Sequence, residues 1–394
     1  MVDFDLAVIG AGAVGAAAAY QAARAGKRVV LFEQFDVGHV RGSSHGESRI
    51  IRHSYTSAAY ASLAPAAFEA WRELERASGQ RLLTMTGGID IGHRENPAML
   101  ACLNALNKAE TGSVFLEGEA AREAFPQFVL RDREAVLWQS GAGILHAGRT
   151  VRALVDQAVV HGAVFRERTL VTGVEPGPEV RVGFRSGGTD GECSASAVVI
   201  AAGPWAGRFF AGFGLGNELR VTHQQVVYYP VEDAELWRLG RCPIYIAHGR
   251  DGFYGFPECE RPGFIKIAVE TEVPIEDPDA APLDADSDAL GRLTEIVATR
   301  LRGIRPEPAE VVTCRYTETA DRDFIVDRHP AHPNVVVACP CSGHGFKFSI
   351  LTGGLAQALA NTSDPRESLA NWRAQFALDK REAGDDRLAT EWRD

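Results

Sequence analysis

The sequence has no stretch of about 18 consecutive apolar residues, the length that a helix needs to cross a bilayer, so we expect no membrane span. It has no excess of positive charge either, and a net charge of −11 argues against non-specific nucleic-acid binding, which requires a basic face. No basic segment of a secretion signal precedes the first apolar residues, and the chain holds only seven cysteines. These absences predict reduced thiols and a cytoplasmic protein.

A glycine-rich turn follows the first apolar stretch. Phe4–Ile9 reads as a strand, and Gly10, Gly12 and Gly15 lead from it into an alanine-rich helix that a second short strand follows. In such a βαβ unit the glycines give a tight turn, close approach of backbone to a pyrophosphate, and contact between helix and strand. Glu33 ends the second strand, where a carboxylate accepts hydrogen bonds from a ribose. The motif predicts a bound dinucleotide and does not by itself separate FAD from NAD.

Three further segments carry candidate chemistry. Arg49 and Arg52 follow small polar residues and would share one face if their segment were helical; they would bind a flavin or a carboxylate, or belong to a solvated basic turn. Near the C-terminus, two glycines precede Lys347 at the start of a helix, where a cation opposes the helix dipole and suggests anion binding. Cys314 on an apolar strand would by itself be an inert small hydrophobe.

The remaining pattern predicts two domains, as the length also does. Strands that alternate between about 220 and 270 indicate an antiparallel sheet, with nucleotide-binding patterns on both sides of it in the sequence. We therefore expect an α/β protein, α+β overall, with a discontinuous Rossmann-like FAD-binding domain and an inserted antiparallel-sheet substrate domain. The expected boundaries are 1–84, 146–220 and 321–394 for the first domain, and 85–145 and 221–320 for the second.

These motifs, in this order, resemble the family of monomeric sarcosine oxidase and N-methyltryptophan oxidase. The resemblance covers nearly the whole chain and rests on four segments: Arg49-Ile50-Ile51-Arg52-His53, Tyr254-Gly255-Phe256-Pro257, Cys314-Arg315-Tyr316-Thr317 and Ser342-Gly343-His344-Gly345-Phe346-Lys347. It implies FAD as the cofactor, bound covalently by a thioether at Cys314. The cofactor-binding residues that it implies are Gly10, Gly12, Val14, Gly15, Glu33, Ser43, Ser44, Arg49, Val171, Cys314, Gly343, Gly345, Phe346 and Lys347.

The same resemblance implies the reaction and its residues. Arg52 and Lys347 would bind a substrate carboxylate, and Lys266 would activate oxygen beside the flavin ring, against which Arg49 would lie. Tyr254, Tyr316 and His344 match pocket positions of the family. The expected reaction is oxidation of a secondary or N-methylated amino acid to an imine, which water hydrolyses, while O2 becomes hydrogen peroxide. The alternatives are an oxidase of cyclic imino acids or sugar-derived amines, a flavin dehydrogenase, and a non-catalytic FAD-binding module.

Two departures from the family pattern bear on the substrate. Glu270 stands where the family has a pocket histidine, which would favour a cationic or larger amine or would be a surface substitution. Gly42-Ser43-Ser44-His45-Gly46-Glu47-Ser48 also differs from the usual Gly-Ser-His-His-Gly-Asp-Thr. We expect no metal, since Cys339 and Cys341 lack a second ligand pair with zinc spacing. The expected partners are a small amino acid and O2, with the protein a monomer.

Overall fold

The computed structural model describes residues 2–215, 219–280, 283–339, 342–361 and 375–378. The strands, in chain order, are β1 (Phe4–Ile9), β2 (Val29–Phe32), β3 (Arg49–Ile51), β4 (Leu83–Met85), β5 (Gly88–His93), β6 (Ser113–Glu117), β7 (Glu134–Gln139), β8 (Gly143–Leu145), β9 (Val164–Arg166), β10 (Thr169–Glu175), β11 (Val180–Ser186), β12 (Thr189–Ile200), β13 (Arg220–Pro230), β14 (Ile244–Ala247), β15 (Phe253–Phe256), β16 (Phe264–Ala268), β17 (Glu310–Glu318), β18 (Val326–Arg328) and β19 (Val335–Ala338). The α-helices are α1 (Ala13–Arg24), α2 (Ala58–Ser78), α3 (Pro97–Lys108), α4 (Gly118–Ala124), α5 (Ala147–Val160), α6 (Ala206–Gly212), α7 (Ala234–Trp237), α8 (Ser287–Arg300) and α9 (Ser349–Asn361). Short 3₁₀ turns cover Gly203–Trp205 and Phe346–Phe348.

The first sheet contains the predicted βαβ unit. Its parallel strands lie in the order β19-β12-β1-β2-β9, and β10, β11 and β18 extend it with antiparallel pairs. Alternate residues of β1 pack into different clusters, since Leu6 and Val8 lie with the α1 side while Ala7 and Ile9 face the opposite one. Burial on both faces is characteristic of parallel strands covered by other elements, and it confirms the Rossmann-like part of the prediction.

The second sheet has the order β17-β13-β16-β15-β14-β5-β7-β6. Its pairs are antiparallel except that β14 and β5 run parallel, with Ile246 opposite Asp90. Strands β13, β14, β15 and β16, which lie in the block predicted between 220 and 270, pair antiparallel as expected, whereas β5 adds a parallel pair that the sequence pattern did not indicate. The reason is that β5 comes from a distant part of the chain, so no short hairpin determines its direction. The domain boundaries stay a prediction.

A third, small sheet joins β3, β8 and β4, and the sequence pattern did not indicate it. Arg49 is the first residue of β3, and Arg52 directly follows its end. The segment is thus extended, not helical, and neighbouring side chains alternate between its two faces. Arg49 and Arg52 therefore do not share a helical face, and their side chains have separate partners.

Helices α1 and α9 cross closely beside the first sheet. A β-carbon at Gly353 of α9 would lie 2.6 Å from the Val14 carbonyl oxygen and 2.7 Å from the Ala18 nitrogen, so only glycine allows this approach. The contact brings the C-terminal glycine–lysine segment beside the N-terminal glycine turn. The charged C-terminal segment also predicts a peripheral helix near 366–377, and most of these positions lie outside the described residues. Within the described ranges, no helix has the length and apolar character that a membrane crossing demands.

Candidate active site

The glycine turn connects β1 to α1 in the form that a pyrophosphate requires. Gly10 has φ +95°, and a β-carbon there would lie 2.6 Å from the Ala201 carbonyl oxygen. A β-carbon at Gly15 would collide with the Gly10 carbonyl oxygen. Gly12 has no such conflict with backbone, but a side chain there would extend towards Ser44, whose Oγ accepts a hydrogen bond from the Ala13 nitrogen at 3.1 Å. The turn thus leaves backbone accessible at the N-terminus of a helix, where anions bind.

Glu33 is buried at the end of β2 and holds the same turn. Its Oε2 accepts from the Ala11 nitrogen at 2.9 Å, and its Oε1 accepts from the Phe35 nitrogen at 3.0 Å. Burial raises the pKa of Glu33, although these two hydrogen bonds oppose the rise. The neighbouring His39 is neutral at pH 7, because burial lowers its pKa to about 4.

The loop that precedes β3 is held by Arg49. Its guanidinium donates to the carbonyl oxygens of Ser43 at 2.8 Å, His45 at 2.7 Å and Ser48 at 2.8 Å. The Arg49 Cζ also lies 5.4 Å from the centre of the Phe346 ring, in the 3₁₀ turn before α9. Arg49 therefore joins the loop to the predicted cofactor-binding segment around Gly345 through backbone contacts and a cation–π contact.

Buried polar atoms in this loop fit a bound cofactor. Within the described ranges, Ser43 Oγ and His45 Nε2 are buried and have no hydrogen-bond partner. A buried polar group without a partner is costly, so a ligand that supplies one would stabilise the loop. Together with the open glycine turn and Glu33, these atoms are consistent with FAD in this position. Val171 of β10 is farther along the first sheet, on the face that also holds Ile9.

Arg52 and Lys347, the residues expected to bind a substrate carboxylate, meet at one aromatic ring. The Arg52 Cζ lies 5.1 Å and the Lys347 Nζ 5.2 Å from the centre of the Tyr55 ring. Both side chains are buried, and Lys347 donates to the Tyr55 hydroxyl at 2.6 Å and to the His344 carbonyl oxygen at 3.3 Å. Burial and, to a lesser degree, the charge of Arg52 lower the pKa of Lys347 well below its ordinary value.

Asp90 is a site residue that the sequence reasoning missed. Its Oδ1 accepts from Arg52 Nη1 at 2.6 Å and lies 2.8 Å from His248 Nε2, while its Oδ2 accepts from Ser54 Oγ at 2.8 Å. Burial raises the pKa of Asp90, but Arg52, His248 and Ser54 together outweigh that effect and hold it below the ordinary value. The sequence feature that could have indicated Asp90 is its position between Ile89 and Ile91 in an apolar strand.

Lys266 is also ion-paired in the interior. Its Nζ lies 2.6 Å from Glu260 Oε1 and donates to the Ser48 carbonyl oxygen at 3.3 Å. Burial lowers the pKa of Lys266, and the charge of Glu260 opposes this change. The other carboxylate oxygen of Glu260 accepts from the Tyr228 hydroxyl at 2.6 Å. Sequence reasoning identified the lysine and missed Glu260, its carboxylate partner.

Two tyrosines and Cys314 line a wall of the second sheet. The hydroxyls of Tyr254 and Tyr316 lie 3.2 Å apart, and the Tyr316 ring packs against Gly343, where a β-carbon would lie 2.8 Å from it. Cys314 is two residues before Tyr316 on β17, so both side chains occupy the same face. Cys314 is partly exposed, unlike the buried Cys102.

His344 and Glu270 have protein partners next to this wall. The His344 Nε2 lies 3.1 Å from the Arg322 carbonyl oxygen, so this nitrogen carries the proton, and burial lowers the pKa of His344 to about 3. Its ring packs edge-on against Tyr60. Glu270 accepts from Arg322 at 3.0 Å, and the same nitrogen of Arg322 lies 3.1 Å from Glu318. Glu270 and Glu318 thus share one nitrogen of Arg322.

One group of possible metal ligands occurs near the arginine. The ligand atoms of Asp90, Cys102 and His248 all lie within 4.8 Å of one another. The Arg52 cation is already 2.6 Å from the Asp90 carboxylate, so a metal cation there would be repelled at close range. The sequence predicts that Cys339 and Cys341 do not bind a metal. Of these two residues, Cys341 lies outside the described part of the chain.

Comparison with known proteins identifies the family of the chain. A family profile described as "FAD dependent oxidoreductase" matches residues 5–359. The chain belongs to this family. It is 33% identical over 383 residues to peroxisomal sarcosine oxidase of Homo sapiens, covering 94% of this chain and 95% of that one. It is 30% identical over 366 residues to monomeric sarcosine oxidase of Streptomyces avermitilis, with coverages of 91% and 94%.

A solved structure shows the same fold. NikD, described as an unusual amino acid oxidase essential for nikkomycin biosynthesis, superposes in its open form with a TM-score of 0.82 at 24% identity. The match covers 93% of this chain and 96% of NikD. The predicted membership of an FAD-dependent oxidoreductase family with sarcosine oxidases as relatives is confirmed, and so is a Rossmann-like domain with a second sheet domain.

Proposed function

We propose that the protein oxidises secondary or N-methylated amino acids with FAD and passes the electrons to O2. The observation that carries this proposal is the meeting of Arg52 and Lys347 at the Tyr55 ring. Among the described residues, the hydrogen bonds of Lys347 go to neutral oxygens only. A buried cation is stable only beside an anion or hydrogen-bond acceptors, and a substrate carboxylate is the anion that this pair suits.

The charges at the pair balance once a carboxylate binds. Arg52 and Asp90 together have no net charge, and Lys347 adds one positive charge when it is protonated. A monocarboxylate then makes the group neutral, while a second carboxylate would leave an excess negative charge in a buried place. The electrostatics therefore favour an amino acid with one carboxylate near the amine.

The aromatic wall would enclose the amine end of the substrate. Tyr254 and Tyr316 present rings and paired hydroxyls, and His344 is neutral at pH 7, so none of the three adds a positive charge that would repel an amine. The redox chemistry would come from FAD held at the glycine turn: FAD would take a hydride equivalent from the carbon next to nitrogen, and two electrons would then pass, with two protons, to O2 to give hydrogen peroxide. Water then hydrolyses the released imine, and an N-methyl substrate gives formaldehyde and the demethylated amino acid.

Lys266 is the candidate for assistance to oxygen. Its ammonium is buried 3.3 Å from the Ser48 carbonyl oxygen, in the loop that Arg49 holds. A cation in a site of low polarity stabilises the negative charge that develops on oxygen as it is reduced. Covalent attachment at Cys314 is supported by its partial exposure on the face of β17 that carries Tyr316.

A substrate panel tests the proposed reaction. Purified holoenzyme under air is supplied with N-methyl amino acids, cyclic imino acids, sugar-derived amines and their carboxamide analogues, and peroxide and aldehyde are measured. We expect peroxide from carboxylates but not from carboxamides, and a large loss of kcat/KM in Arg52→Ala for the carboxylates alone. Equal turnover of carboxylates and carboxamides by the unaltered enzyme would refute the carboxylate site. Flavin reduction without peroxide would assign a dehydrogenase.

The covalent link, the assembly state and the location need separate tests. Acid precipitation of the holoenzyme should leave yellow flavin on the protein, and Cys314→Ser should release it into the supernatant. Release of all flavin from the unaltered protein would disprove the thioether. The monomer and the cytoplasmic location stay predictions, which light scattering and cell fractionation can test.

A further inference from the structure

The Asp90 carboxylate lies among apolar residues yet has three polar partners. Its side chain is 1% exposed, and Ile89 and Ile91 flank it in β5. A carboxylate buried to this degree is stable only when charged and hydrogen-bonded groups replace water. Arg52, Ser54 and His248 provide them at 2.6, 2.8 and 2.8 Å.

The geometry restrains one end of the arginine. Arg52 Nη1 donates to Asp90 Oδ1 at 2.6 Å and to Ser54 Oγ at 3.1 Å, while Ser54 Oγ donates to Asp90 Oδ2. The three side chains thus form a closed ring of hydrogen bonds. Such a ring restricts both the position and the rotation of the guanidinium, because each group fixes the direction of the next.

The ring also ties two parts of the fold together. Arg52 follows β3 of the small third sheet, whereas Asp90 lies in β5 of the second sheet. His248 directly follows β14, the parallel neighbour of β5, and its backbone nitrogen donates to the Ile91 carbonyl oxygen at 2.7 Å. The position of Arg52 beside the Tyr55 ring is therefore set by the second sheet as well as by its own strand.

We propose that Asp90 is a positioning residue for substrate recognition: it holds Arg52 beside Lys347 so that the two cations receive one carboxylate. The inference rests on the proposed function of Arg52 and Lys347. Without Asp90, the guanidinium loses its charged acceptor and its neutralising charge, while the positive charge of Lys347 repels it. Preorganisation of the pair is what the aspartate contributes.

A double-mutant cycle on the holoenzyme tests this role. The probes are acetate and acetamide, which have similar size but differ in charge, and binding is followed by the change in flavin absorbance. Asp90→Asn should weaken acetate binding about tenfold or more while acetamide binding stays the same, as expected when one partner of a buried charge pair is removed. In the Arg52→Ala background, Asp90→Asn should have no further effect on acetate.

A second ion pair gives the matched control. The buried Arg300 and the mostly buried Glu134 lie 2.8 Å apart in the described structure. Glu134→Gln should lower the melting temperature without changing the ratio of acetate to acetamide affinity. If Asp90→Asn does not fold, Ser54→Ala opens the same ring without removing a charge, and we expect a smaller loss of the same selectivity.

The outcomes distinguish the proposed carboxylate site from the positioning role of Asp90. If Arg52→Ala leaves acetate affinity unchanged, the proposed carboxylate site fails. Suppose that Arg52→Ala weakens acetate binding, whereas Asp90→Asn and Ser54→Ala leave acetate affinity unchanged or increase it. The carboxylate site then stands, and the positioning role of Asp90 is overturned. An equal loss by Asp90→Asn with and without Arg52 would also overturn it, since the aspartate would then act independently of the arginine.

Discussion

Binding of a carboxylate should draw a proton onto Lys347 when the pH is above the pKa of this lysine in the unliganded enzyme. Burial is the main reason that this pKa lies well below its ordinary value, and the neighbouring Arg52 charge lowers it further. A bound carboxylate stabilises the ammonium form and raises the pKa in the complex. Affinity is therefore constant below the pKa of the unliganded enzyme and falls as the pH rises beyond it.

The size of the effect follows from linkage. Between the pKa of Lys347 in the unliganded enzyme and its pKa in the complex, each pH unit weakens binding by about tenfold, or ~1.4 kcal/mol, because one proton must be taken up for each ligand. Acetate titrations of the holoenzyme across pH, followed by flavin absorbance, measure this slope. Calorimetry in buffers of different ionisation enthalpy counts the protons directly.

Two variants at this position make the test decisive. Lys347→Arg keeps a charge at all accessible pH values and should remove the slope, and Lys347→Met should remove it while weakening binding throughout. A dissociation constant that does not change with pH in the unaltered enzyme, with no proton uptake, would refute the reasoning. A slope that persists in Lys347→Met would assign the proton to another group, such as the flavin.

Two further predictions concern the ion pair of Lys266 and the helix crossing. If Lys266 assists oxygen as an ammonium, the rate of flavin reoxidation should fall as the pH rises through the pKa of Lys266. Glu260→Gln should move this fall to lower pH, because Glu260 raises the pKa of Lys266. An unchanged pH profile of reoxidation in stopped-flow measurements would contradict this. Gly353→Ala should destabilise the protein by ~1–3 kcal/mol, since a β-carbon would meet the backbone of α1. Gly354→Ala is the control in thermal unfolding, because there the β-carbon would meet only the flexible Gln21 side chain; equal melting temperatures of the two variants would contradict the packing argument.

Local patterns predicted the first sheet well. The glycine turn, the alanine-rich α1 and the apolar strand β1 each carry their structure in neighbouring residues, and Phe4–Ile9 is a strand as expected. The parallel pair of β14 and β5 joins residues more than 150 positions apart. Neighbouring residues carry no information about such a pair. The presence of a second sheet could therefore be predicted, but the order of its strands could not. The three-residue strands of the third sheet are too short to give a period.

The site shows the same division. Arg52 and Lys347 are nearly 300 residues apart in the sequence, yet they meet at the Tyr55 ring. This meeting was expected only from the family resemblance, because separation along the sequence does not determine distance in the fold. The segment containing Arg49 and Arg52 shows the limit of a local pattern. Two arginines three apart suggest a shared helical face, but Arg49 begins a strand, Arg52 directly follows that strand, and their side chains have different partners.

The two carboxylates that the sequence reasoning missed share one signal. Asp90 lies between isoleucines in β5, and Glu260 is buried beside Tyr228 although it sits in a loop. A carboxylate in apolar surroundings requires a cation nearby. An acidic residue within an apolar strand therefore predicts a buried cationic residue close to it, but it does not predict which residue of the chain this is. Here the two cations are Arg52 and Lys266, the residues proposed to bind the substrate carboxylate and to assist the reduction of oxygen. Each of these two cations thus has its own buried counter-charge, and in the proposed site Lys347 would supply the positive charge that a substrate carboxylate neutralises.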